Sequence, residues 1–130
     1  MSRRSLLRDT AGVSAVEFAL LSPVFFLLMF AVIDAGQLVW TQMSLEHAVE
    51  SAARCASLRS SNCATETQIQ SYASAQAPGL GLPPSTFSYS TPGCGSQVTA
   101  SFRYYFLSSA FPSSYTTLTA TSCLPFASIS

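Results

Sequence analysis

Lysine is absent from this chain, and six arginines against six acidic residues leave a formal net charge of zero. Proteins that grip nucleic acid need a basic stripe to neutralise phosphates, so that class is excluded. Charge is sparse throughout, at 9% of residues, and after residue 60 only Glu66 and Arg103 carry it. Serine and threonine do the solvating there. Histidine occurs once, as His47. With Glu50 three positions later it offers two ligands, short of the three or four that a zinc site uses. No Gly-x-Ser-x-Gly elbow and no phosphate-cradling glycine loop is present. The four cysteines lack the Cys-x-x-Cys spacing of a metal or redox site. The expectation is a protein without catalytic chemistry, metal or cofactor.

What the sequence does contain begins with charge asymmetry and a long apolar run. Arg3, Arg4 and Arg8 against Asp9 leave the first twelve residues basic. Residues 18–33 are then uncharged and mostly apolar. Counted from Val13, the run is interrupted only by Glu17 and is long enough to span a bilayer core, which takes about 20 residues. Basic residues precede it and none returns until Arg54, which places the N-terminus in the cytoplasm and the rest on the far side of the membrane. Cysteines in that oxidising compartment are read as two disulfides.

The helix is expected to outrun the membrane. Ala35, Leu38, Leu45, Val49, Ala52 and Ala56 recur at helical steps and mark one face. Thr41, Ser44, His47, Ser51 and Arg54 fall largely on other faces, and Glu50 pairs with Arg54 one turn on. A helix over residues 13–58 spans about 69 Å at ~1.5 Å per residue. Pro23 crowds the carbonyl of Ala19 and lacks a donor, so a kink is expected there. Gly36 weakens the helix just beyond the membrane.

Residues 59–130 read as a small separate unit. Thr65-Glu66-Thr67-Gln68 fits a capping box opening a short helix, which Pro78-Gly79 ends. Residues 77–85 are a loop, and residues 86–90, 97–107 and 115–122 are strand-like. In the second strand Val98, Ala100, Phe102, Tyr104 and Phe106 alternate with polar or exposed positions, so one face is buried. A return through residues 108–114 makes a three-stranded antiparallel meander, and the fold class is α+β. Cys94 precedes the second strand and Cys123 ends the third, so they are paired. Cys55 and Cys63 close a turn off the long helix.

Gly12-Val13-Ser14-Ala15-Val16-Glu17-Phe18, set between a basic leader and an apolar helix, resembles the processing site of type IV pilin-like proteins of the tight-adherence (Flp/Tad) class. With Ala19-Leu20-Leu21, Pro23 and Ala52-Ala53-Arg54, the resemblance is to TadE-like minor pilins or pseudopilins over about residues 8–58. Position 18 is Phe where the related major pilins usually carry Tyr. The resemblance implies a leader of residues 1–12, removed by a prepilin peptidase between Gly12 and Val13. It also implies partners among other pilins and pseudopilins and the assembly platform in the inner membrane, besides the lipid bilayer. Glu17 would be the fifth residue of the mature chain. Its carboxylate, costly in an apolar segment, is then offset by the new amine of Val13 on its own or a neighbouring subunit. Phe18 belongs to the same assembly surface.

Two other export routes compete. Ser2-Arg3-Arg4-Ser5-Leu6-Leu7-Arg8 resembles a twin-arginine signal, but nine residues including Asp9 and Glu17 separate it from the apolar run. An ordinary secretory signal leaves Glu17 out of place and has no clean Ala-x-Ala site after Ile33. The functional alternative is a signal-anchored or secreted disulfide-bonded binding module that recognises a surface through Tyr89, Tyr105 and Tyr115.

Overall fold

A computed structural model describes residues 11–108, 111 and 113–128, with the side chain of Ala11 left aside. The leader residues 1–10, and residues 109, 110 and 112 of the expected 108–114 return, lie outside the described part.

Helix α1 (Ala11–Ser57) is 47 residues long and contains Pro23 without a break. Its two halves differ in surroundings. The apolar half is bare: an 18-residue window of mean hydropathy 2.4 has none of its residues buried. Phe18, Leu20 and Val32 are each more than two-thirds exposed. The second half is roofed by everything that follows. Leu45, Ala48, Val49, Ala52, Ala53 and Ala56 form one wall of the core, together with Ile69, Ala73, Leu82, Phe87, Val98 and Ala100. Alanines suit this wall because small side chains let other elements approach the helix closely.

This wall is wider than the periodic stripe. Ala48 and Ala53 are buried as well, while Ala35 is exposed and Leu38 only partly covered. Thr41, placed by periodicity on another face, is buried and donates its hydroxyl to the Gln37 carbonyl at 2.8 Å. The reason is contact with two kinds of partner: a sheet and a second helix both lean on α1 and cover more than one narrow row.

The helix ends through a left-handed residue. Arg59 has φ 50°, and the Arg59 and Ser60 amides turn back to the carbonyls of Ala56 and Cys55. Glycine usually fills this position because it has no Cβ penalty. Here the guanidinium of Arg59 lies over the Phe126 ring at 5.4 Å. The Cys55–Cys63 disulfide closes the turn, around a 3₁₀ segment at Ser61–Cys63.

Helix α2 (Glu66–Ala75) opens with the full reciprocal cap: the Thr65 hydroxyl accepts from the Gln68 amide, and the Gln68 side chain accepts from the Thr65 amide. Strands β1 (Phe87–Ser90), β2 (Ser96–Tyr105) and β3 (Tyr115–Leu124) follow in an antiparallel sheet of order β1-β2-β3. The fold is α+β, with a long apolar N-terminal helix, a short helix and a three-stranded sheet. In β2, Val98, Ala100 and Tyr104 are buried and Ser101, Arg103 and Tyr105 exposed, as a half-buried strand requires. Tyr89 is half-buried against the core, whereas Tyr105 and Tyr115 stand in solvent.

β2 and β3 differ at their ends from the pattern-based bounds. β2 stops at Tyr105, and β3 runs on to Leu124, paired with Ser96. The Cys94–Cys123 disulfide braces that end, and bridges of this kind contribute about 2–4 kcal/mol. Gly95 sits there at φ 122° with its back against Leu124 and Pro125, where a Cβ would lie 2.7 Å from the Pro125 Cα. Only glycine fits such a site. After β3 the chain returns to α1, and the Ala127 amide bonds the Ser57 carbonyl at 3.2 Å.

Candidate functional site

Two places on α1 carry the chemistry. The first is its start. The Gly12–Val13 peptide lies in the opening turn of the helix, where backbone amides have no partners within the helix. A Cβ built on Gly12 meets nothing within 4 Å among the described residues, so no packing described there requires glycine at this position. Val13, Glu17 and Phe18 are all exposed. Val13 and Glu17 are one turn apart and share a face. The salt bridge found among the described residues is elsewhere: Arg54–Glu50 at 3.7 Å, well exposed. Pro23 is also exposed and lies one turn beyond the Ala19 carbonyl that its ring crowds. None of these residues touches the disulfide-bonded roof. The cysteines stand at its far side, bonded 55 to 63 and 94 to 123.

The second place is where the bare half of α1 meets its roof. Asp34 is the first charged residue after the apolar run, and its side chain is fully buried. It is covered by the β2–β3 connection from more than seventy positions away. Its Oδ1 accepts from the Leu107 amide at 3.1 Å and its Oδ2 from the Ser108 amide at 2.8 Å. The Ser108 hydroxyl is buried in the same place, outside strict hydrogen-bond geometry with any partner. A hydroxyl rotor beside a carboxylate orients towards it, and two backbone amides satisfy an acid in the same sense. The Ser108 hydroxyl and then these amides hold the Asp34 carboxyl below its ordinary value, against burial, which raises it.

Further contacts tie the sheet down the same flank. The Tyr104 hydroxyl donates to the Gln37 side chain at 3.4 Å. Burial and then the Asp34 charge push that phenol up. Gln42 donates to the Thr119 carbonyl at 3.1 Å. Asp34 was not among the residues singled out from sequence. A lone acid after an apolar run reads as a flank of the membrane span, and nothing local announces a partner at residues 107 and 108.

Asp34→Asn is expected to keep the sheet and loosen its tip. Asparagine presents one acceptor oxygen in place of two and no charge. Exchange of the Leu107 and Ser108 amides should quicken by at least about tenfold, since bonds to charged groups are the stronger class. Amides at Val98 and Ala100 should keep their protection. Acid acts in the same direction. A depressed folded-state pKa means that the contact is complete above the ordinary carboxylate range near pH ~4 and is lost as pH falls below it. Amide exchange followed by NMR checks both; unchanged protection at 107 and 108 in the variant would show the carboxylate to be idle.

His47 and Glu50 border an open depression with Ser51, Arg54, Leu58 and Tyr72. Among the described residues no group of three or more His, Cys, Asp or Glu side chains converges.

The family model of TadE-like protein matches residues 12–54, which is α1 from the glycine of its first turn to Arg54. The similarity covers about a third of the chain, inside the 8–58 span over which the resemblance was read. No curated protein and no solved structure matches the chain.

Proposed function

We propose that this protein, TadE-like over residues 12–54, is a structural minor pilin or pseudopilin of a tight-adherence (Flp/Tad) pilus system. One observation carries this reading: the TadE-like segment coincides with a single helix whose first half is bare and apolar and whose second half is roofed. In the proposed role the bare half anchors the precursor in the bacterial inner membrane with the N-terminus cytoplasmic. A prepilin peptidase removes residues 1–12. The roofed half and its two disulfides face the periplasm, and the mature helix packs with other pilins and pseudopilins on the assembly platform. The role is structural, without catalysis.

The position of Asp34 supports this over a secreted binding module. A signal cut near Gly36 would remove Asp34 and take away the acceptor of the Leu107 and Ser108 amides. Two backbone donors at the sheet tip would then lose the charged acceptor that ties them to α1, and bonds to charged groups are the stronger class.

Gly12→Leu tests the processing step. The fold has room for the side chain, so a loss of cleavage reports on the peptidase and not on folding. A peptidase groove that accepts no Cβ rejects leucine. The expected result is a full-length precursor that accumulates in the membrane with both disulfides formed. Wild-type processing of this variant would remove the chief support for the pilin reading.

A further inference from the structure

The described part of the hairpin tip that Asp34 holds has an apolar surface with no partner among the described residues. Leu107 is 78% exposed. Phe106 stacks on Phe111 at 4.3 Å between ring centroids. At its base stand Tyr105 and Tyr115, 61% and 45% exposed, with the Arg103 guanidinium 4.7 Å above the Tyr115 ring. Trp40, 67% exposed, borders the same side of the molecule with Arg103 and Tyr105. Exposed leucine at a loop tip is unremarkable alone. A leucine and two stacked phenylalanines at the tip, with two tyrosines, an arginine and a tryptophan at its base, are another matter, and what they meet depends on their level along α1.

That level is fixed by the helix. The run from Val13 to Ile33 rises about 31 Å at ~1.5 Å per residue, the thickness of a bilayer's hydrocarbon core at ~30 Å. Asp34 follows immediately, so it sits at the outer boundary. Helix side chains tilt towards the helix N-terminus, which here is towards the bilayer. Its bound amides, Leu107 and Ser108, therefore lie level with that boundary or inside it. Trp40 stands about 9 Å further out at ~1.5 Å per residue, within the headgroup zone. Aromatic residues with a polar end favour this zone, and an arginine stem lies along apolar surface while its head reaches water or phosphate.

We propose that the β2–β3 tip is a second membrane contact: Phe106, Leu107 and Phe111 enter the outer edge of the hydrocarbon. Trp40, Tyr105 and Tyr115 lie among the headgroups, and Arg103 meets lipid phosphate. The occupant of this surface is the lipid bilayer itself. The buried Asp34 clip is what holds the tip at the correct depth. The roofed half of α1 is then fixed in height and rotation on the membrane by two points. This inference rests on residues 13–33 crossing the bilayer, and its test separates the two.

The full chain, in a Trp40→Phe background, is placed in phosphatidylethanolamine–phosphatidylglycerol vesicles with single tryptophans introduced as Leu107→Trp, Leu27→Trp or Thr121→Trp. Position 121 is exposed near the far end of β3. Disulfide formation reports folding for each variant. Lipids brominated near the headgroup should quench Trp at 107 at least about twofold, lipids brominated at mid-chain should quench Trp at 27, and neither should quench Trp at 121. Quenching at 27 without quenching at 107 overturns the tip contact and leaves the span intact. No quenching at 27 overturns the span and the inference with it. Equal quenching at 107 and 121 also overturns the proposal, because the sheet would then lie flat on the bilayer.

Discussion

Glu17→Gln is expected to insert, to be processed, and to fail in assembly, with incorporation alongside other pilins reduced at least about tenfold. Glutamine keeps the shape and hydrogen bonding of glutamate and deletes its charge. Insertion should be no worse, because removing a charge lowers the cost of transfer into an apolar layer. Assembly is different. Cleavage after Gly12 frees the amine of Val13, which is mostly protonated near neutral pH. Val13 and Glu17 sit on one exposed face of α1, available to each other or to the same pair on a neighbour. In low dielectric an opposed charge is worth far more than in water, and an orphaned one is penalised; removing one partner of a buried pair costs about 3–5 kcal/mol. Crosslinking to other pilins, compared with membrane level and processing, reads the three steps apart. A glutamine protein that assembles like wild type would reduce Glu17 to an interfacial residue or a recognition element for the peptidase. A failure of insertion would contradict the orientation as well.

Phe87→Ala should be the most damaging single change to the roofed half. Phe87 is 1% exposed and heads the fully buried side chains by size. It sits on β1 opposite Ala100, in the cluster that includes the α1 alanines and Ile69 of α2. Truncating a buried phenylalanine costs about 3–5 kcal/mol through lost transfer energy and the cavity left behind. In a unit this small that is a large share of the total, since domains hold only about 5–15 kcal/mol. Phe25→Ala is the matched contrast. Phe25 is 63% exposed on the bare half, so its loss should leave the melting of the roof unchanged. Near-UV circular dichroism melts in detergent, with the disulfides intact, compare the two. Equal destabilisation would contradict the division of α1 into a bare half and a core half.

The elements that declare themselves in the sequence are those governed by local rules. The Thr65–Gln68 box has its signal within four residues, and the structure forms both of its bonds. The alternation from Val98 to Tyr104 needs only the pleat of one strand, and the burial follows it. The bare apolar half of α1 is legible because hydropathy over eighteen residues needs no tertiary context.

What stayed hidden depended on residues far apart. Asp34 and the amides at 107 and 108 are separated by 73 and 74 positions, and no spacing rule links an acid on a helix to main chain in a loop. Ala48 and Ala53 each stand one position off the stripe through Val49 and Ala52, so a count along one face passes them by, yet both are fully covered. Thr41 reads as polar, but its hydroxyl is satisfied by its own helix, which removes most of the cost of burying it. The demand for glycine at 95 comes from backbone of the strand end that pairs with it, and that close approach exists only after β2 and β3 meet. At the start of α1 the imbalance runs the other way. Gly12, Val13, Glu17 and Phe18 stand out in sequence, and no neighbour among the described residues explains them. Residues with a strong pattern and no intramolecular work are those expected to act on other molecules.

The mature N-terminus decides between the readings most directly. The protein is extracted from membranes of cells that carry the prepilin peptidase and is subjected to N-terminal sequencing with intact mass. The account predicts a chain beginning at Val13, lighter than the precursor by residues 1–12. A chain beginning at Met1 or Ser2 would make α1 a plain anchor, and a start near Gly36 would make the roofed half a secreted module; either result contradicts the pilin reading.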